Sequence, residues 1–122
     1  MPRAQPSHLR RGNAAEHLAC EHLRRQGLSL VRRNYRSPHG EIDLVMQAAG
    51  TLVFVEVRYR RASQFGTPAE TVDTRKQARL RATAEHFLQR HPQGCKVACR
   101  FDIVAVSGEG ADVRLEWLQD AF

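Results

Sequence analysis

Two carboxylates interrupt sequence that otherwise reads as core β-strand. Asp43 lies in Gly40-Glu41-Ile42-Asp43-Leu44-Val45, and Glu56 in Val53-Phe54-Val55-Glu56-Val57-Arg58. Acidic side chains are rarely buried unless they are paired or bind a metal. Side chains alternate along a strand, so Phe54, Glu56 and Arg58 share one face, and Glu41, Asp43 and Val45 share one face of the preceding strand. Hairpin register then decides how the two acids meet. A two-residue turn at Ala49-Gly50 sets Asp43 directly opposite Glu56, whereas a four-residue turn makes them diagonal neighbours. In either register their Cβ atoms fall within about 5–8 Å on one face.

Two carboxylates that close repel and raise each other's pKa unless a positive charge compensates. Arg58 is one compensation and a hard divalent cation is the other. Mg²⁺ or Mn²⁺ takes oxygen ligands, commonly one or two carboxylates with water and substrate phosphate. Such an ion polarises a scissile phosphate and lowers the pKa of a bound water. A neighbouring cation stabilises charge developing in the transition state. Asp43, Glu56 and Arg58 thus supply the parts for phosphodiester hydrolysis. The competing reading is a structural ion pair of Arg58 with Glu56 or Asp43 at a sheet end. Glu16 sits at the edge of an apolar helical stripe and joins the acids if that helix packs beside the hairpin. Otherwise it is a surface partner of nearby charges. The tract Arg58-Tyr59-Arg60-Arg61 places cations and an aromatic ring beside the acids, as phosphate-contacting and base-stacking segments do.

The elements that must position these groups are legible from periodicity. A first helix is expected from Leu9 to Gln26, with apolar positions Ala15, Leu18, Ala19 and Leu23 and a stop at Gly27. Residues 1–8, with two prolines and no periodicity, read as a disordered basic tail, leaving 9–122 as a single domain. Strands are expected over Leu28–Tyr35, Glu41–Gln47 and Leu52–Tyr59, joined by turns at Arg36-Ser37-Pro38-His39-Gly40 and Ala48-Ala49-Gly50. Residues 60–70 read as a polar loop. A second helix is expected from Val72 to Arg90, capped by Thr71 or Asp73, with Leu80, Ala84, Phe87 and Leu88 buried. Arg75, Arg79, His86 and Arg90 line its other face, either as a solvated surface or as a phosphate-contacting one. Strands Ala98–Val106 and Val113–Trp117 complete the order αβββαββ, an α/β fold with a mixed sheet.

Composition narrows the partners. The chain has 122 residues and a formal net charge of +6. Only Lys76 and Lys96 among its basic residues are lysines, the rest being arginines. A small, arginine-rich, basic domain is the profile of a nucleic-acid binder, although codon bias also replaces Lys by Arg. The three cysteines, Cys20, Cys95 and Cys99, form no disulfide framework, which points to a reducing compartment. No second Cys or His pair completes a zinc site around Cys95 and Cys99. No apolar run approaches a membrane span or a signal-peptide core, so the expectation is a cytoplasmic protein with no membrane partner.

As a set, these residues resemble the YraN-like family of small bacterial proteins, within the PD-(D/E)xK, Holliday-junction-resolvase-like nuclease superfamily. The resemblance runs from Gly12 to Phe122. It rests on Gly12-x-x-Ala15-Glu16, Gly40-Glu41-Ile42-Asp43-Leu44, Val53-Phe54-Val55-Glu56-Val57-Arg58, Lys76-Gln77 with Leu80, Arg100-Phe101-Asp102-Ile103-Val104, and Trp117. It implies a restriction-endonuclease-like αβββαβ core with the site on the central hairpin. By that analogy Asp43 and Glu56 hold the metal, the Val57 carbonyl adds a ligand, and Glu16 matches the first-helix acid of resolvase-like members. Arg58 departs from the superfamily lysine, although the YraN-like family accepts either residue. Arg clamps phosphate in two-pronged fashion but cannot act as a base at neutral pH, and Lys76 is the candidate substitute. The expectation is a Mg²⁺- or Mn²⁺-dependent DNA endonuclease selective for junction or branched structures. Its catalytic residues are Asp43, Glu56, Arg58 and Glu16, its nucleic-acid contacts Arg60, Arg61, Arg75, Lys76 and Arg79. RNA as substrate and a homodimer are further expectations. The alternative is a nucleic-acid-binding protein that keeps the fold with little or no catalysis.

Overall fold

A computed structural model describes residues 7–60, 72–91, 96–108 and 110–122, with side chains from Asn13 onward. Helix α1 spans Ser7–Arg25, followed by strands β1 (Ser29–Ser37), β2 (Gly40–Ala48) and β3 (Thr51–Arg60). Helix α2 spans Thr74–Arg90, then come β4 (Ala98–Ser107), a single 3-10 turn at Gly110–Asp112, and β5 (Arg114–Leu118). The strands form one five-stranded sheet in the order β1-β2-β3-β4-β5. All neighbours run antiparallel except β3 and β4, which α2 connects in parallel. This is the expected α/β architecture: a mixed sheet with a helix on each face and the αβββαβ order of a nuclease-like core, plus the closing β5. The expected loop 60–70 falls, beyond Arg60, outside the described residues, as do the alternative cap Thr71, the first six residues and Pro92 to Cys95.

The core divides along the sheet. Leu44, Met46, Val53, Val55, Val104 and Val106 pack against Ala15, Ala19, Cys20 and Leu23 of α1. On the opposite face Val45, Leu52, Phe54 and Ile103 pack against Leu80, Ala84 and Phe87 of α2. β3 is buried on both faces from Leu52 to Glu56, which is why its sequence reads as a continuous apolar run rather than an alternating one. Helix α1 begins at Ser7 rather than Leu9. Leu18, expected in its buried stripe, is exposed, and Cys20 takes the buried place. The helix ends as expected at Gly27 (φ +96°), where Leu28 N donates to Leu23 O and Gly27 N to Arg24 O. That pairing satisfies the last carbonyls, and only glycine adopts such a φ without steric cost.

Two local features aim side chains at one end of the sheet. Ala49 (φ +48°) and Gly50 (φ +83°) make the two-residue turn of the β2–β3 hairpin, a left-handed pair whose twist suits the strands. The tighter of the two registers is therefore the real one, pairing Ala48 with Thr51 and Leu44 with Val55. The second feature is Asn34, with φ +53° in mid-strand. The β1–β2 ladder pairs Arg33 with Leu44 and Tyr35 with Ile42, stepping across Asn34 and Asp43. Leu44 packs under α1 while Ile42 packs under α2. Simple alternation, which would put both on one face and Glu41 beside Asp43 on the other, breaks here. A left-handed residue turns the chain about its axis, so side chains on either side of Asn34 and Asp43 face opposite layers.

Away from that end, Asp102 is fully buried on β4. Arg100 Nε (3.1 Å), Trp117 Nε1 (2.9 Å) and Asp120 N (2.9 Å) all donate to its carboxylate. A buried carboxylate survives only with such partners. This network explains as structural two residues, Asp102 and Trp117, that carry the sequence resemblance.

Candidate functional site

The β2–β3 ladder ends at Leu44–Val55, one position short of the Asp43–Glu56 pair. Beyond it Asp43 Oδ2 accepts a hydrogen bond from Val57 N at 2.8 Å. A carboxylate thus stands where a strand-to-strand backbone bond would be, and both acids sit at the fork.

Glu56 is only 6 % exposed. Lys76 Nζ lies 2.8 Å from its Oε1, and Arg58 Nε lies 3.4 Å from the same oxygen. Lys76 reaches it from the first turn of α2, whose cap is Asp73: the Asp73 carboxylate accepts from Lys76 N at 2.8 Å. The lysine whose side chain holds Glu56 is therefore fixed at its backbone by the helix cap. Both cations approach Oε1.

Asp43 is held differently. Burial, the Glu56 charge, and the charges of Glu16 and Glu41 push its pKa up to about 8, against the single lowering bond from Val57 N. Glu16 on α1 is likewise raised, chiefly by burial, with Arg33 opposing and Glu41 and Glu56 contributing. Asn34 links the two outer acids: with its side-chain amide turned so that nitrogen rather than oxygen faces them, it donates to Glu16 Oε1 (2.8 Å) and Glu41 Oε1 (3.0 Å). Four carboxylates from α1, β2 and β3 are thus electrostatically coupled, with Asp43 at their centre.

A cavity of about 370 Å³ opens beside them, lined by Gly40, Glu41, Asp43, Glu56, Lys76, Arg79 and Leu80. Among the described residues no three His, Cys, Asp or Glu side chains converge as a ready-made ligand shell. The donor chemistry nonetheless suits a hard cation. Asp43 and Glu56 offer carboxylate oxygens, and an Asp whose pKa is raised by burial and by its acidic neighbours is relieved when a divalent ion replaces the proton. When bound, such an ion would supply Lewis-acid polarisation of a phosphate oxygen. The chain's own contribution is a lysine and an arginine beside the acids and a walled cavity on the α2 side.

Of the residues singled out in the sequence, Asp43, Glu56, Arg58, Lys76 and Glu16 come together here, and Arg79 lines the cavity. Arg75 is exposed on α2 and Arg60 ends β3, half-buried. Arg61 lies outside the described residues. Sequence reasoning missed Glu41 and Asn34 as members. Glu41 is two residues from Asp43 and was legible as an acid of the same strand. Asn34 carries no such signal beyond its tolerance of a left-handed backbone.

The mixed five-stranded sheet with a helix on each face is an α/β domain whose element order is consistent with a nuclease-like αβββαβ core. Comparison with known proteins places it more narrowly. The model of the uncharacterised protein family UPF0102 matches residues 15–106, and the chain belongs to that family. A UPF0102 protein of Pseudomonas entomophila (strain L48) is 52% identical over 123 residues, covering 100% of this chain and 98% of the relative. One from Nitrosococcus oceani is 46% identical over 116 residues, covering 95% and 94%. One from Coxiella burnetii (strain RSA 493) is 48% identical over 110 residues, covering 90% and 89%. The matched span contains Glu16, Asn34, Glu41, Asp43, Glu56, Arg58 and Lys76. No described helix is long and apolar enough to cross a membrane.

Proposed function

We propose that this protein is a Mg²⁺- or Mn²⁺-dependent nuclease that hydrolyses phosphodiester bonds in DNA. The observation that carries the reading is the fork itself. A nearly buried Glu56 is flanked by Lys76 at 2.8 Å and Arg58 at 3.4 Å. Beside it lies an Asp43 whose pKa is driven up to about 8 by burial first and then by the neighbouring Glu56 charge. In this reading Asp43 and Glu56 hold the ion. Lys76 takes the role of the superfamily lysine, poised to orient a water and stabilise the developing charge. Arg58, always protonated, supports the charge but cannot serve as the base. Glu16 is an auxiliary acid behind Asp43. Branched or junction DNA is the expected preferred form, RNA the alternative substrate, and a homodimer the assembly that suits a two-fold junction.

The test is titration of Mn²⁺ into the wild-type chain and into Asp43→Asn and Glu56→Gln, followed by incubation with duplex, single-stranded and branched DNA. Heat of binding that disappears in both variants, with cleavage lost in step, is the expected result. Cleavage that persists in Glu56→Gln overturns the assignment. One observation favours a second reading, binding without hydrolysis: both cations already neutralise Glu56 Oε1. It requires DNA binding with no cleavage in either metal.

A further inference from the structure

The β1–β2 turn lies against α2. Ser37 Oγ meets Thr83 Oγ1 at 3.0 Å, and a Cβ placed on Gly40 would sit 3.5 Å from Thr83 Oγ1 and 3.8 Å from Arg79 Cβ. One turn further along α2, the Tyr35 hydroxyl is hydrogen-bonded to His86 Nδ1. Arg90 Nη1 donates to His86 O at 3.3 Å, and both Arg90 and His39 bear electrostatically on the His86 ring. Arg79, Thr83, His86 and Arg90 recur at helical spacing of four, three and four, so they form one stripe. With His39 from the turn, the stripe becomes a seam that begins at Arg79 on the cavity wall and ends at Arg90.

The seam has one chemical character. Glu85 is the only acid of α2, and it is absent from the groups that influence His86. Burial, Arg90 and His39 lower the pKa of His86, and its Nδ1 is hydrogen-bonded to the Tyr35 hydroxyl. Arg79 and Arg90, eleven residues apart, are separated by roughly 16 Å along the axis. Phosphates of one DNA strand recur every ~3.4 Å of duplex axis, so that length covers several of them.

We infer that the seam between the β1–β2 turn and α2, through His39, His86 and Arg90, is a phosphate track that carries one nucleic-acid strand away from the acidic cavity. This rests on the proposed nuclease reading, because it takes the cavity as the point where the strand is held for chemistry. Its contacts are to the backbone, so it positions the strand without reading sequence.

The test is equilibrium binding in EDTA, where no cleavage occurs. Anisotropy of a fluorescein-labelled oligodeoxynucleotide and of its duplex is followed between about 0.05 and 0.2 M NaCl. The seam variant is His39→Gln/Arg90→Gln, and both positions are exposed. A charge control, Arg24→Gln/Arg25→Gln, removes cations at the end of α1 on the other face of the sheet. Each lost phosphate contact makes the slope of log K against log salt shallower by about 0.7–0.9. The seam variant is expected to lose one to two such steps and to bind roughly tenfold or more weakly at about 0.1 M salt. The control is expected to keep the wild-type slope. A seam variant with the wild-type slope, or a control that loses as much, overturns the track. So does wild-type protein that shows no salt-dependent binding. Glu56→Gln separates this from the parent reading. If it binds with the wild-type slope but does not cleave, both stand. If wild type never cleaves while the seam variant still loses slope, the nuclease reading falls and the track remains.

Discussion

Lys76 and Arg58 reach the same oxygen of Glu56 from different elements, and they are not equivalent. Lys76 is closer, 2.8 Å against 3.4 Å, and its compact ammonium is a point charge where Arg58 presents a planar fork. Lys76→Ala is therefore expected to slow cleavage by about 10²-fold or more, on the scale of losing one preorganised donor. Arg58→Lys, which keeps the charge, is expected to lose less. Rates at saturating Mn²⁺ on one substrate decide it, and Arg58→Lys as the more damaged variant would reverse the roles. Asn34 permits a sharper separation of backbone from side chain. Its φ of +53° costs alanine about 1 kcal/mol that glycine does not pay. Asn34→Gly and Asn34→Ala both remove the bridge between Glu16 and Glu41. Alanine is expected to be the less stable of the two by about 1 kcal/mol in urea unfolding, with equal weakening of Mn²⁺ binding. Equal stabilities would show that the left-handed turn is relaxed at no cost.

Helix α2 shows how an element can be tuned for a site against its own preference. Its first turn carries Arg75 and Lys76 and no acid, the wrong sign for the positive end of the helix dipole. The Asp73 cap and the Glu56 carboxylate offset this. Asp73→Ala is expected to cost about 1 kcal/mol of stability by chemical denaturation. It should also lower cleavage, because the cap fixes the backbone from which Lys76 reaches Glu56. Asp73→Asn, which keeps the acceptor, should restore both. Loss of stability without loss of activity would detach the cap from the site. At this scale the sequence was largely readable. Periodicity placed both helices and all five strands to within a few residues, and Ala48-Ala49-Gly50 marked the hairpin while leaving its register open. Less readable was whatever depended on tertiary packing. Cys20 rather than Leu18 faces the sheet because the direction of α1's approach, not its spacing alone, selects the buried stripe. The break in alternation at Asn34 and Asp43 follows from one left-handed residue. It separates the faces of Ile42 and Leu44, which strict two-residue periodicity puts together. The acid pair was legible because carboxylates in apolar strands are anomalous, whereas Asp102 entered only through the resemblance and its bonds to Trp117 and Asp120 became visible only in the fold.

At the scale of the whole molecule, a basic chain keeps an acidic centre, and the cost of that centre must register in its stability. Asp43 has an ordinary pKa of 3.8 when unfolded and is pushed up to about 8 when folded. Below about pH 4 both states hold the proton and the carboxyl imposes no penalty. Between about 4 and 8 the folded protein keeps a proton that the unfolded chain has lost, so metal-free stability falls as pH rises, by at most about 1.4 kcal/mol per unit. Above about 8 the decline from this group stops. Glu16 is shifted in the same direction and adds to the trend. Asp43→Asn keeps an acceptor for Val57 N and removes the charge. It is therefore expected to match wild type near pH 4 and to melt progressively higher than wild type toward pH 8, in EDTA. Saturating Mn²⁺ should reverse the order at pH 8, because the ion takes the proton's place only in wild type. A melting difference between the two proteins that is independent of pH would mean that Asp43 is already compensated in the folded chain. The acidic fork would then be a closed structural network rather than a site waiting for a cation.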